Sequence, residues 1–149
     1  MRPPNGKFST DILWSAGAYA LGALFGILVN VAIVRGHDAA ALGIFNLVYA
    51  VYILLSQLAV GGVHLAVQAF VPREISAGRS ADAQVSASFL LSTITSVVVI
   101  AVAWAFRDLP GLWFHSAAVE QAFPLVLPGL LFFSWNKVLL SYHNGARRM

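Results

Sequence analysis

AAALGIFNLVYAVYILLSQLAVGGVHLAVQAFV, residues 39–71, runs for 33 positions without an Asp, Glu, Lys or Arg, and Pro72, Arg73 and Glu74 close it. Drawn as one helix at ~1.5 Å rise per residue it would reach ~50 Å, against ~30 Å of bilayer hydrocarbon. It is too long and too uncharged for the core helix of a soluble domain, and the pair Gly61-Gly62 offers a place to bend. Its strongly polar residues are Asn46, Gln57, His64 and Gln68. At ~100° per residue they fall at about 0°, 20°, 0° and 40° around an unbroken helix. Amide and imidazole groups facing lipid would go unsatisfied, so this narrow stripe is expected to face other helices or a water-filled cavity.

The rest of the chain has the same character. Of 149 residues, 59% are hydrophobic and 10% charged, with mean hydropathy +0.79, and the apolar residues come in long blocks rather than short alternations. That places the chain with polytopic membrane proteins. No cysteine is present, so disulfides and thiolate metal sites are excluded. A formal charge of +3 raises the question of nucleic acid. The basic residues, however, stand singly or in pairs at the ends of apolar blocks, with no basic patch interleaved with exposed aromatics, so a nucleic-acid partner is not expected.

Four membrane helices are predicted, over about 11–34, 39–71, 81–106 and 118–142. Residues 1–10, with Pro3-Pro4 and Asn5-Gly6, read as a flexible lead, and Ser9 or Thr10 as the cap of the first helix, which is expected to be a retained signal anchor. Ser15, Tyr19, Gly22, Gly26 and Asn30 share one side of that helix, and Gly22 and Gly26 make a GxxxG step that allows a close helix neighbour. A turn over Arg35-Gly36-His37-Asp38 joins it to the opening stretch as a hairpin, with Asp38 the N-cap. Pro72 is expected to end the second helix. On the third, Gln84, Ser88, Ser92 and Thr95 share a face suited to interhelical hydrogen bonds. Residues 107–115 read as an interfacial loop rich in aromatics, with His115 solvated. Pro124 and Pro128 predict a kink in the fourth helix, where Ser134, Lys137, Ser141 and Asn144 share a face. Arg2, Lys7, Arg73, Arg79, Arg147 and Arg148 collect on one side of such a bundle and Arg35 and Arg107 on the other. By the positive-inside rule both termini then lie in the cytoplasm, which gives an all-α, four-helix transmembrane bundle, N-in and C-in, in the cytoplasmic membrane.

The join of the first two helices, Val34-Arg35-Gly36-His37-Asp38-Ala39-Ala40-Ala41-Leu42-Gly43-Ile44-Phe45-Asn46-Leu47, and the close of the second, Leu65-Ala66-Val67-Gln68-Ala69-Phe70-Val71-Pro72-Arg73-Glu74, resemble the amino-terminal part of polysaccharide biosynthesis membrane proteins. These are the lipid-linked oligosaccharide and O-antigen flippases of the multidrug/oligosaccharidyl-lipid/polysaccharide exporter superfamily. The small-residue first helix and the end of the fourth, Asn144-Gly145-Ala146-Arg147-Arg148, add to the resemblance. It covers essentially the whole chain but only about the first third of a family member's twelve to fourteen helices.

What the resemblance implies is a transporter without covalent chemistry. Two helical lobes enclose a polar cavity that takes the sugar-pyrophosphate head of an undecaprenyl-linked glycan, and alternate opening moves it across the membrane. The prenyl tail stays in lipid while the head, which cannot cross hydrocarbon alone, passes inside. Asn30, Asn46, Gln57, His64, Gln68 and Lys137 are the cavity-lining candidates. Where the family commonly carries a basic residue near the end of the second helix, this chain has Gln68 and Ala69. Lys137 either snorkels to the interface or holds phosphate from within the bundle. His64 either bonds a neighbouring helix or serves proton coupling or substrate.

No cofactor or metal is expected, since the four histidines are far apart in sequence with no carboxylate at ligand spacing, and no nucleophile elbow or glycine-rich phosphate loop is found. Partners are the bilayer, the lipid-linked glycan, and either further helices beyond residue 149 or other copies of the chain. The alternative functions are a small four-helix scaffolding membrane protein, and a segment of a multidrug exporter of the same superfamily. Four helices alone lack the second repeat against which alternating-access machines rock.

Overall fold

The computed structural model describes residues 5–146, and these are helical almost throughout. In chain order the helices are α1 (Asn5–Gly36), α2 (Ala39–Val60), α3 (Val63–Ser76), α4 (Asp82–Ala105), α5 (Leu109–Phe114), α6 (Ala117–Val126) and α7 (Gly129–Ala146). Arg2, Arg147 and Arg148, which enter the charge count, lie outside the described residues. Among the described residues three helices are long and apolar enough to cross a membrane, within Ile12–Gly36, Ala39–Val60 and Asp82–Ala105. A fourth joins them if α6 and α7, bent by 45° about Leu127-Pro128, count as one span.

Two compact units make up the chain, one ending at Gly43 and the other beginning at Ile44. In the first, α1 is one continuous helix that already includes Asn5 and Gly6, so residues 5–10 are not the expected flexible lead and Ser9 and Thr10 lie inside the helix rather than capping it. The predicted cap of the next helix is present: Asp38 Oδ1 accepts from Ala41 N at 2.7 Å.

The second unit departs from the predicted second helix in two ways. Gly61 (φ 55°) and Gly62 (φ 74°) turn left-handed, a conformation that costs any side-chain-bearing residue ~1–2 kcal/mol, and they divide the 33-residue run into α2 and α3. Pro72 does not end α3, which continues to Ser76. A proline removes only the N–H that would reach back four residues, to Gln68, and one lost bond within a packed helix does not stop it. The actual end is at Ala77-Gly78, where Gly78 is again left-handed and Arg79 N donates to Glu74 O at 2.9 Å.

The predicted loop 107–115 also folds: Pro110 sits in the first turn of α5, and His115, left-handed at φ 50°, ends it while Ser116 N donates to Gly111 O. The fourth predicted helix breaks where its prolines stand. Because Pro128 has no N–H, Leu127 N takes the Pro124 carbonyl instead, and α7 then runs past the expected end at 142 to Ala146.

Packing follows from spacing. α3 presents Val63, Val67 and Val71, four residues apart, to α7 and α4, where Val138, Ala81 and partly buried Phe89 complete an apolar cluster. Gly145 permits this crossing to be close, since a Cβ there would meet Val71 Cβ at 3.1 Å. Around the end of α2 a second cluster joins Ala59, Ala103, Phe123, Leu127 and Leu130. Between the clusters runs a buried seam of hydroxyls, with Ser56, Ser92, Ser96 and Ser134 fully enclosed. Ser96 Oγ donates to Ser134 Oγ at 2.7 Å, and Thr95 Oγ1 to Ala59 O at 2.7 Å.

Candidate functional site

The residues predicted to line a cavity do not form one continuous stripe, because the turn at Gly61-Gly62 resets the helical phase between Gln57 and His64. On α2 the buried positions include Val48, Ser56 and Ala59, while Asn46 and Gln57 are exposed. Gln57 lies one residue, ~100°, beyond buried Ser56 and reaches back to it, Nε2 to Oγ at 3.4 Å. On α3, His64 and Gln68 likewise follow buried Val63 and Val67 by one residue and are half-buried. The polar groups thus border the packed seam instead of filling it. His64 Nδ1 is enclosed without a hydrogen-bond partner among the described residues. In the first unit, Asn30 Nδ2 donates to Gly26 O of its own helix at 2.9 Å. Lys137, half-buried on α7, holds its Nζ 5.4 Å from the centre of the Phe133 ring, an attractive cation–π contact.

A second set of residues forms a line of rings that ends at Lys137. Phe45, Tyr49 and Tyr52 recur on α2 at i, i+4 and i+7, so their rings lie along one face. Phe45 and Tyr49 stack at 5.9 Å between centroids and 6° between planes, and Tyr49 and Tyr52 at 6.3 Å and 21°. Tyr52 meets Phe133 of α7 edge-on at 6.4 Å. Four rings therefore lead to one ammonium. Tyr52 is anchored at the α6–α7 break, its hydroxyl donating to Gly129 O at 3.1 Å, and a Cβ at Gly129 would press on the ring at 3.3 Å. A pocket of about 310 Å³ opens beside the track, walled by Phe45, Tyr49, Tyr52, Leu125, Val126 and Gly129 among others.

Such a surface has a definite chemistry. Exposed aromatic side chains, as Phe45 and Tyr49 are, receive the C–H groups of a pyranose or another apolar ring, and Tyr49 adds a hydroxyl. An ammonium at the end of the line offers three donors to an anion or hydroxyl. Amides, imidazole and charge on the second helix do not mark this track. The signal was nevertheless there, in aromatic residues recurring at 45, 49 and 52 within an uncharged run. No protein family, curated protein or solved structure matches the chain.

Proposed function

We propose that the chain is the membrane-embedded part of a transporter that moves lipid-linked oligosaccharide or polysaccharide precursors across the cytoplasmic membrane by alternating access, with both described ends on the cytoplasmic side. The observation that carries the reading is the line of rings from Phe45 to Phe133 ending on Lys137, the one Lys or Arg in α7, beside a helix with no charge in its 22 residues. A charged side chain costs several kcal/mol in hydrocarbon, roughly 2.5–3.5 on insertion scales, so it marks a polar path in a membrane helix. Aromatic faces bind sugars without giving up their own compatibility with a bilayer. The unpartnered His64 Nδ1 supplies a further polar contact. A glycan head would travel along rings and be held at its phosphate end by Lys137, with no covalent step and no enzyme chemistry.

The test is translocation of a labelled polyprenyl-diphosphate oligosaccharide in proteoliposomes holding the full gene product. Lys137→Ala is expected to lower the rate at least tenfold, the effect of one lost charge-assisted contact of ~1.4 kcal/mol or more, while Lys137→Arg keeps most of it. Equal rates in the wild type and both variants would remove Lys137 from the path.

A second reading rests on Gly22 and Gly26 of α1, whose GxxxG spacing suits a helix–helix interface. On that reading the chain is a small membrane scaffold built by self-association. Loss of oligomer in Gly22→Leu with no glycan transport by the wild type would favour it.

A further inference from the structure

A cavity of about 430 Å³ lies on the second unit away from the aromatic track, between α2, α4 and the α5–α6 pair. Every residue around it is apolar, among them Val51, Leu58, Val98, Val102, Phe106 and Trp113. No polar atom of a ligand could be satisfied by such a wall. Two of the helices that form it are long and apolar enough to cross a membrane. On the membrane reading given above, on which this inference rests, the cavity faces acyl chains and not water.

One end of it is different. The turn between lining residues Phe106 and Leu109 carries Arg107 and Asp108, with Arg107 Nε 3.5 Å from Asp108 Oδ1 and both side chains more than half exposed. Arg107 also lies over the Trp104 ring at 5.7 Å, and Trp104 and Trp113 are 51% and 76% exposed. Exposed indoles beside charged residues at a helix end are the composition of the headgroup layer. An apolar trough running from that layer has the shape of a chain site with a headgroup site at its mouth.

We propose that this trough binds one acyl chain of a phospholipid whose headgroup is a zwitterion with a primary ammonium, as in phosphatidylethanolamine. The pair at the mouth selects it. Arg107 presents N–H donors to the phosphate, and Asp108 accepts from the ammonium, so the headgroup replaces a weak exposed ion pair with two charge-assisted bonds. A phosphatidylglycerol headgroup offers Asp108 only neutral hydroxyl donors, with no ammonium charge to pair with the carboxylate. A phosphatidylcholine headgroup has no N–H to give Asp108.

The test is native mass spectrometry of the full-length protein extracted from carbonate-washed membranes into mild detergent, then exposed to equal amounts of the three phospholipids. The wild type is expected to retain phosphatidylethanolamine about tenfold over phosphatidylcholine, the effect of one charge-assisted hydrogen bond. Asp108→Asn should abolish that preference, and Arg107→Gln should lower retention of all three. Val98→Trp fills the trough from a position 55% exposed, where the fold does not need the valine, and should remove bound lipid altogether. Equal retention of the three lipids by the wild type would overturn the proposal, as would lipid retained in Val98→Trp or a lipid-free dimer. Release of the chain by carbonate would overturn the membrane reading with it, whereas a chain that stays in the membrane without a headgroup preference overturns the lipid site alone.

Discussion

At Ala59 the left-handed turn two residues later takes away the helical donor that its carbonyl would have met, and a hydroxyl from another helix replaces it. Thr95 has one proton and three carbonyls within reach, of Ala59 at 2.7 Å and of Leu91 and Ser92 at 3.1 Å, and the closest belongs to the end of α2. Ser96 stands 3.4 Å from the same oxygen while bonding Ser134. An orphan carbonyl in an apolar setting costs ~1–3 kcal/mol, so the Thr95 bond holds the break together. Thr95→Val, which keeps the shape and deletes the donor, is expected to lower stability by about 1–2 kcal/mol in reversible unfolding from bicelles, and Thr95→Ser to restore most of it. No difference between the three proteins would show that the carbonyl is satisfied otherwise. The serines and threonines of this seam could be read from the sequence as a packing face, Ser92 and Thr95 on one helix and Ser134 and Ser141 on another. Their partners could not, because a helical hydroxyl serves its own preceding turn as readily as a neighbour until the neighbour's position is fixed.

Among the elements, glycine and proline were the informative letters, and they acted differently from a simple reading. Gly61-Gly62 changed the course of the chain as expected, yet as a full break rather than a bend, and so moved Gln57 and His64 out of phase. Pro124 and Pro128 broke their helix, whereas Pro72 did not, because α3 packs along its length against α7 and α4 and outweighs one missing bond. The left-handed Gly78 that ends α3 is bridged by a charge pair. Arg79 Nε and Nη2 donate to the Glu74 carboxylate at 2.8 and 3.1 Å, across the left-handed Gly78. Those bonds, and after them the arginine's charge, hold the Glu74 carboxyl below its usual 4.5. Being lowered in the folded state, it contributes order that is fully present above the ordinary carboxylate range and is lost as pH falls through the lowered value. Carboxyl-carbon NMR is expected to show Glu74 titrating below 4.5 in the wild type and moving up toward it in Arg79→Ala. A titration unchanged by that substitution would mean that the pair does not close the helix in solution.

For the molecule as a whole, the long uncharged blocks announced membrane-length helices, and three, or four with the bent pair, are present among the described residues. The helix within 109–114 was not legible, because a six-residue helix has no room for a periodic pattern and is defined by its ends, Pro110 and the left-handed His115. The aromatic track needed the helices in place before Phe133 could be joined to Tyr52. The charge count still makes a direct claim about orientation: reporter fusions at Gly78 should be active in the cytoplasm, and those at His37 and at Leu109 outside it. A fusion at Gly78 that reports from outside would invert the assignment.

Passage of sugar along the rings of α2 can be seen with a photoreactive phenylalanine in place of Tyr49. Illuminated in membranes with a polyprenyl-diphosphate oligosaccharide labelled in its sugars, that protein is predicted to carry the sugar label at position 49. The same probe at Leu90, exposed on α4 and outside both pockets, is predicted to stay unlabelled. Equal labelling at the two positions, or none at 49, would mean that sugar does not pass along these rings.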